Sequence, residues 1–409
     1  MHIFFILVFV VGLFGFKISV FDLYQVGFRI DDILLAISII VIIFGLQFKL
    51  NIPYAVRLYL LFILLSVVST ILGWYRGNIG ILESSLYSFR AAEYLIFFFI
   101  GQLASNKLRN LDWILKAYAI YVSILIILQF YGLAPVFSKF LPNRAIGNTG
   151  GPWELGGVAG FLFIYFFHYS QLPYALISSV VMYLTFSRVS IAALLIIYSK
   201  HILWLRRKQI LVLLSGLLFV AFVRLEMFSE FSHSLTNRFF IAYESLDRNI
   251  LMNLYETAPI LTNRTDYLQV AFSTESLKRI NELEADLSLN IRIYRWFMLL
   301  KIFSSTWHNY LFGVGPGFAG VAVDGYYVRI LVENGIFGLA IFLLFVVSFL
   351  LRVRDKIARN YFIFLLLSGF VIDIFNTYKV MMLFWFYYGY ICRKNRTVLS
   401  SSVQAFFDK

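Results

Sequence analysis

The chain has 409 residues, of which 61% are hydrophobic, 19% aromatic and only 14% charged. Soluble globular domains carry about 25% charged residues, so this composition excludes a soluble protein. A single cysteine, Cys392, excludes a disulfide framework and a cysteine-rich metal site. Cationic loops that face anionic lipid explain the net charge of +13, which therefore requires no nucleic acid as a partner.

Apolar runs of nearly membrane-spanning length recur from one end of the chain to the other. A spanning segment needs about 20 residues and must satisfy its own backbone hydrogen bonds, which at this length favours helices over barrel strands. We therefore predict an all-α polytopic membrane protein with about 12 transmembrane helices. The predicted helices are Ile3–Phe16, Asp32–Phe48, Val56–Gly73, Ala91–Leu103, Trp113–Gly132, Gly156–Tyr169, Leu172–Phe186, Val189–Ser199, Ile210–Val223, Tyr326–Leu350, Tyr361–Phe375 and Val380–Cys392.

The predicted helices divide the chain into four parts. Residues 1–223 hold helices 1–9, residues 224–325 form one large loop, residues 326–392 hold helices 10–12, and residues 393–409 form a tail. Alternate connections carry fifteen Lys and Arg residues, against eight in the opposite short connections. The positive-inside rule therefore predicts that both termini lie in the cytoplasm. The large loop is then periplasmic, and we expect it to be folded and mostly helical.

Four arginines at the predicted outer ends of helices are candidates for binding a diphosphate-linked lipid, because the planar guanidinium group suits phosphate oxygens. Arg188 lies in a hairpin between two apolar runs, where snorkelling to the interface is the alternative. The three-residue spacing of Arg292 and Arg295 puts both on one helix face, which a solvated surface would also explain. Arg144 lies in a Gly- and Pro-rich loop that either approaches a sugar or only turns the chain.

Carboxylates at the predicted membrane edge are the next candidates. If the diphosphate-linked lipid carries a sugar, its transfer needs a general base that removes the proton of an attacking hydroxyl. Asp324 and Glu333 flank the start of the predicted tenth helix. An ionisable residue in an apolar helix is a functional candidate by default, and pairing with a neighbouring arginine is the alternative for Glu333. His308, before a glycine-rich turn, suits a base or a structural role. Weaker candidates of the same kind are Glu83, Glu93 and Glu154.

The sequence contains no Walker A loop, no H-E-x-x-H motif, no nucleophile elbow and no dinucleotide fingerprint. We therefore predict that the protein uses neither a cofactor nor a metal ion.

Several of these residues occur in a characteristic order. The stretch from Arg292 to Leu344 contains an arginine, a tryptophan, a Gly-Val-Gly turn, an acidic residue before an aromatic helix start, and a Glu-x-Gly element. The matching residues are Arg292, Trp296, Gly313-Val314-Gly315-Pro316-Gly317, Asp324-Gly325-Tyr326-Tyr327 and Glu333-Asn334-Gly335-Ile336-Phe337-Gly338-Leu339. Upstream, Ser187-Arg188 and the pair Arg144 and Gly147 supply a Ser-Arg and an Arg-x-x-Gly element. This order resembles the O-antigen polymerase and ligase superfamily.

The resemblance implies an inverting, metal-independent glycosyltransferase of the GT-C class in the bacterial inner membrane. Its substrates would be undecaprenyl-diphosphate-linked oligosaccharide and polysaccharide at the periplasmic face, and a chain-length regulator protein would be a further partner. Arg188 and Arg292, followed by Arg295, would bind the donor's diphosphate and neutralise its charge as it leaves. The ligase branch has a histidine where this chain has Asp324, which favours the polymerase branch. We rank Asp324 first and Glu333 second as the base.

Three other functions remain open at this stage. An O-antigen ligase would pass the same glycan to the lipid A core, so only the acceptor differs. A lipid-linked oligosaccharide flippase also needs arginines for diphosphate, but it would place cations inside a central cavity. The predicted helices from Ile3 to Leu103 are nearly free of charge, which disfavours transport. A peptidoglycan polymerase shares the GT-C plan but has a different signature around its large loop.

Overall fold

A computed structural model describes residues 2–16, 19–23, 26–44, 50, 52–105, 107–108, 110–135, 144–202, 247–271, 273, 287–320 and 323–407. Within these ranges the chain is helical apart from one short antiparallel hairpin, in which Leu23 pairs with Val26. The elements are α1 (His2–Phe14), β1 (Ser19–Leu23), β2 (Val26–Arg29), α2 (Ile30–Phe44), α3 (Tyr54–Tyr75), α4 (Ile81–Ala104), α5 (Leu111–Phe130), α6 (Pro152–His168), α7 (Leu172–Leu184), α8 (Arg188–Ile202), α9 (Arg248–Thr257), α10 (Arg264–Ala271), α11 (Leu287–Phe303), α12 (Trp307–Phe312), α13 (Tyr326–Arg352), α14 (Lys356–Gly369), a 3-10 turn (Ile374–Asn376) and α15 (Tyr378–Phe407).

Each predicted helix in the described ranges has a counterpart, whereas the predicted helix Ile210–Val223 lies outside them. The predicted start of the fourth helix is wrong, because α4 begins at Ile81 instead of Ala91. Glu83 and Arg90 interrupt the apolar run there, but Glu83 forms an ion pair with Arg264 that the sequence does not reveal.

The boundaries of the last two predicted helices also differ from the structure. Helix α14 begins at Lys356, before the predicted Tyr361, because the Asp355 side chain accepts a hydrogen bond from the Ala358 N–H at 2.8 Å and caps the helix. It ends at Gly369, where a turn replaces the predicted last residues. Helix α15 continues to Phe407, well into the predicted tail.

Three of the described helices, α3, α5 and α13, are long and apolar enough to cross a membrane. Shorter apolar helices include α1 and α7. Large apolar side chains on α3 and α13 point away from the protein, with Leu64, Ile71, Leu344 and Val347 more than half exposed. A continuous exposed apolar surface of this kind is typical of a face that contacts lipid.

The main core is formed where helices from the first half of the chain pack against α13 and α15. Helix α15 packs along α4 and α6, and α13 packs along α3. Trp385 on α15 is fully buried and lies against Tyr59 of α3 and Phe345 of α13, with ring centroids 4.7 and 6.0 Å away. Aromatic rings supply most of this contact area, which explains their abundance in the sequence.

A second, smaller core lies beside the first and consists of segments that precede α13. Met298 and Leu299 of α11 are buried against Val314 and Phe318 of the following turn, and Leu254 of α9 joins them. This second core holds the segment from residue 313 to residue 320 against the end of α13 that begins at Tyr326, which is where the candidate site residues lie.

Candidate functional site

Helix α13 is broken near its start, and the glycine-rich segment packs into the break. Gly335 has a positive φ of 70° and interrupts the helix. The freed carbonyl groups of Val332 and Glu333 accept hydrogen bonds from the N–H groups of Val314 (2.9 Å) and Gly315 (3.1 Å). Irregular backbone is tolerated inside a membrane protein only where its polar groups find partners of this kind. The Gly-Val-Gly turn and the Glu-x-Gly element therefore form one unit.

Two glycines allow the backbones of this unit to meet. A Cβ atom at Gly335 would collide with the carbonyl group of Leu311, and a Cβ atom at Gly313 would collide with the backbone of Glu333. On the α3 side, the Ser69 hydroxyl donates to the Phe312 carbonyl at 2.6 Å. The segment is therefore enclosed between α3 and α13, and no larger residue fits at either glycine.

A buried ion cluster holds the segment from the other side, and we call its three members, Arg329, Glu333 and Asp373, the inner triad. The Arg329 guanidinium pairs with Glu333 Oε1 at 3.2 Å and with Asp373 Oδ2 at 2.9 Å. It also donates to the Gly320 carbonyl at 2.6 Å, while Glu333 Oε1 accepts from the Ala319 N–H at 3.1 Å. The three side chains are 4%, 6% and 13% exposed. Glu333 thus fastens the segment to α13.

The short helix α10 is fastened to the same segment by Arg264. Its guanidinium forms an ion pair with Glu83 of α4, and its Nε donates to the Gly317 carbonyl at 2.8 Å. The Arg264 backbone N–H donates to the Asn78 carbonyl at 2.9 Å. Burial lowers the pKa of Arg264, and the nearby Glu333 charge opposes that shift. Glu83, a weaker sequence candidate, is therefore a partner in a structural ion pair.

A second arginine–carboxylate pair lies at the surface of the site, and we call it the outer pair. Arg292 Nε donates to Asp324 Oδ2 at 2.9 Å, and the two side chains are 30% and 37% exposed. Asp324 has a φ of 48°, in the left-handed region that few residues other than Gly, Asn and Asp occupy. The Trp296 indole N–H donates to the carbonyls of Val323 and Asp324, both at 3.0 Å, which fixes that backbone.

Arg295 lies beside the outer pair, as its three-residue spacing from Arg292 predicts. Its guanidinium donates to the Ala271 carbonyl at 3.1 and 3.3 Å, which connects α11 to α10. Burial lowers the pKa of Arg295, while the charges of Tyr267 and Asp324 act in the opposite direction. Tyr267 itself is 1% exposed, and burial raises its pKa. Arg292 and Arg295 therefore share one face of α11, and Arg292 makes the contact to Asp324 at the start of α13.

The upstream elements of the resemblance are also brought together. Arg144 Nε donates to the Thr185 carbonyl at 2.8 Å, and its Nη2 donates to the Phe186 carbonyl at 3.1 Å. Phe186 has a φ of 51° and forms the tight turn that precedes Arg188, the first residue of α8. The structure therefore makes Arg144 a support for the turn that presents the half-buried Arg188.

Glu154 belongs to a separate buried contact between α6, α15 and the end of α1. Its Oε2 accepts from the Gly150 N–H at 2.8 Å, and its Oε1 accepts from the Lys379 N–H at 2.9 Å. The Lys379 ammonium donates to the carbonyls of Leu13 and Gly15 at 2.7 and 2.6 Å, satisfying groups that a helix end leaves free. Glu154 and Lys379 together thus join three helix ends.

His308 lies in α12 and is not among the contacts of either ion cluster. Its ring stacks on Trp307 with centroids 3.5 Å apart, and the neighbouring Asn309 accepts from Arg76 at 3.2 Å. Partial desolvation and the Arg76 charge lower the pKa of His308. The imidazole is therefore mostly neutral at pH 7.

Sequence reasoning missed Arg264, Arg329 and Asp373. The four-residue spacing of Arg329 and Glu333 is a usable signal for a helical ion pair. Asp373 gives no such signal, since it is 44 residues from Arg329. Among the described residues, no three His, Cys, Asp or Glu side chains form a group that could hold a metal ion.

This fold, with its exposed apolar helices and a membrane-length helix broken at the site, is that of a helical membrane protein. No family model matches the chain, no curated protein is detectably similar to it, and no solved structure matches it.

Proposed function

We propose that the protein is an O-antigen polymerase, or the polymerase of a related surface polysaccharide. It joins undecaprenyl-diphosphate-linked repeat units at the periplasmic face of the bacterial inner membrane by inverting, metal-independent glycosyl transfer. The observation that supports this most directly is the outer pair, because a partly exposed carboxylate bonded to one arginine, with a second arginine three residues along the same helix, offers a base and a phosphate site together. About 12 spans with both termini in the cytoplasm are part of the proposal.

In this mechanism Asp324 removes the proton of an acceptor sugar hydroxyl, and the resulting oxygen attacks the anomeric carbon of the donor. The bond between that carbon and the diphosphate breaks, and the lipid diphosphate leaves with the bonding electrons. Arg292 and Arg295, with Arg188, neutralise the charge that develops on it. Binding of the diphosphate draws Arg292 from Asp324, which frees the carboxylate for the incoming hydroxyl.

The contacts of the other candidates favour Asp324 as the base. Glu333 is buried and holds two partners, Arg329 and the Ala319 N–H, so it acts as a positioning residue for the segment that leads to Asp324. His308 contacts neither ion cluster. In the same way Arg144 positions the turn before Arg188.

The proposal is tested by deleting the gene in its host and restoring it as wild type, Arg188→Ala, Arg292→Ala or Asp324→Ala at matched expression. Extracted lipopolysaccharide is then separated on a gel. We expect a single-repeat band in the deletion, a full ladder with wild type, and a lost or weak ladder with each variant. Arg76→Ala is the matched control, because Arg76 is an arginine at the end of α3 that contacts Asn309 instead of the outer pair, and it should restore the ladder.

Each alternative gives a different pattern on the same gel. Loss of every repeat, including the single one, would favour the ligase or the flippase. An unchanged ladder in the deletion would overturn the proposal.

A further inference from the structure

Helices α3 and α5 carry exposed aromatic side chains at both of their ends. Tyr54 and Trp74 of α3 are exposed and lie about 30 Å apart along the helix axis. Trp113 near the start of α5 and Tyr131 directly after its last residue are also exposed. Tryptophan and tyrosine collect at the two water interfaces of a bilayer, whose hydrocarbon core is about 30 Å thick. These four rings therefore mark the two surfaces of the membrane.

Helix α12 ends deeper than Trp74, towards the middle of α3. The Ser69 hydroxyl donates at 2.6 Å to the carbonyl of Phe312, the last residue of α12. Ser69 precedes Trp74 by about 7.5 Å along the axis of α3. The backbone of Leu311 lies directly against the break of α13, where a Cβ atom at Gly335 would collide with its carbonyl group. The end of α12 is therefore level with the apolar part of two membrane-length helices.

The chain descends to this depth along α12 and then returns. On the way down, Asn309 in the middle of α12 accepts a hydrogen bond at 3.2 Å from Arg76, the residue that follows α3. On the way back, the Gly320 carbonyl accepts a hydrogen bond at 2.6 Å from Arg329, which lies in the first turn of α13. Residues 307–320 therefore form a re-entrant segment that dips beside α3 and α13.

The exposed side of this segment is aromatic and continues the apolar surface of α13. Trp307 and Tyr310 are three positions apart on α12, and they are 64% and 47% exposed. The Phe312 ring contacts Phe337 of α13, with centroids 5.4 Å apart. Phe337 is exposed on the same stripe as Leu344, seven residues further along the helix. The surface that contacts lipid on α13 thus extends onto α12.

We propose that α12 binds the phospholipid leaflet on the Trp74 side of the membrane, with Trp307 and Tyr310 inserted between the headgroups and the upper acyl chains. Aromatic rings with one polar atom suit this layer. The irregular backbone of residues 313–320 is tolerated at this depth because it is enclosed by α3 and α13. The inference depends on α3 spanning the membrane and not on the enzymatic activity proposed above.

The test measures the depth of single spin labels in the full chain in lipid nanodiscs. Cys392 is the only cysteine of the chain, so Cys392→Ser provides the background. Trp307→Cys and Tyr310→Cys carry the label on α12. Leu64→Cys, exposed in the middle of α3, is the reference in lipid, and Asn253→Cys, exposed on α9, is the reference in water.

Electron paramagnetic resonance gives, for each label, the ratio of its collision rate with oxygen to its collision rate with a water-soluble nickel chelate. Oxygen concentrates in the bilayer, so this ratio rises with depth. We expect ratios at positions 307 and 310 that are several-fold above the ratio at position 253 and below the ratio at position 64. Ratios equal to the one at position 253 would overturn the proposal and place this face of α12 in water.

Intrinsic fluorescence tests the same face without a label. The emission that Trp307→Phe removes from the wild-type spectrum is the emission of Trp307. In nanodiscs this emission should be quenched by brominated phospholipid and not by iodide in the water. Quenching by iodide alone would overturn the proposal and leave the face open to a glycan or a protein. The lipopolysaccharide gel with Arg292→Ala tests the proposed function separately, because that variant leaves α12 unchanged.

Discussion

The inner triad and the outer pair are built from the same residue types and lie at the same end of α13, yet they differ in access to water. In the triad, Arg329 has two carboxylate partners and a carbonyl, and no side chain is more than 13% exposed. In the outer pair, Arg292 has one described carboxylate partner and stays partly exposed. A buried pair is costly to break, whereas an exposed one contributes little to stability and is free to exchange partners. The comparison supports a structural role for the triad and is consistent with the chemistry proposed for the pair.

The largest effect is expected from breaking the triad. Arg329→Met leaves Glu333 and Asp373 buried without their cation, which should cost about 3–5 kcal/mol of the free energy of unfolding. Denaturant unfolding of the purified protein in detergent measures this loss. Arg292→Met is the matched control: it makes the same substitution at the partly exposed outer pair, where we expect a much smaller loss. Equal destabilisation by the two variants would contradict the comparison.

The next effect is expected at the glycine where α13 breaks. Gly335→Ala and Gly77→Ala both place a side chain at a φ near 70°, which costs about 1–2 kcal/mol. Only at Gly335 does the new Cβ also meet backbone, at Leu311, which adds about 1–3 kcal/mol of overpacking. Thermal unfolding of the two variants should therefore separate them, with Gly335→Ala the less stable. If the two variants unfold at the same temperature, the backbone around Leu311 does not pack against the break of α13 at Gly335.

A smaller effect on stability is expected at the outer pair, where activity should nevertheless be lost. Arg292→Ala should lower the free energy of unfolding by less than about 1 kcal/mol, because the pair is partly exposed. Asp324→Asn keeps a residue that tolerates the left-handed backbone, so it should also fold normally. Both should abolish the lipopolysaccharide ladder at matched expression. A full ladder with Asp324→Asn would exclude this carboxylate as the base.

The smallest effect is expected at His308. The pKa of His308 lies below the ordinary value of 6.5, so the ring is mostly neutral at pH 7 and gains charge as the solution becomes more acidic. His308→Gln therefore removes little charge at pH 7 and above. Stability should change by less than about 0.5 kcal/mol, as for other surface substitutions, and the pH profile of polymer formation should be unchanged. A profile that loses its acidic limb would show that His308 takes part in proton transfer.

The sequence predicts helices well where apolar runs are uninterrupted, and less well where a polar residue is satisfied by a distant partner. Helix α3 begins two residues before its predicted start and ends two residues after its predicted end. Helix α4 begins ten residues before its predicted start. A charged residue such as Glu83 favours a loop at the edge of an apolar run, but here it pairs with Arg264 from another part of the chain. Local pattern contains no information about that partner.

The candidate site shows the same limit. The sequence correctly groups Arg292 and Arg295, because helical spacing alone puts them together. For Glu333, pairing with a neighbouring arginine was the alternative to catalysis, and that pairing is what the structure contains. Asp373 is not among the predicted site residues, since only the folded chain brings its turn to Arg329.

The segment from residue 313 to residue 320 also sets the order in which the protein can be assembled. It lies against α3, which is made early, and against α13, which is made directly after it. Helix α15, which is made after α13, then packs along α4. During synthesis, the faces of α3 and α4 that pack against α13 and α15 therefore stay uncovered until the C-terminal third of the chain has been made.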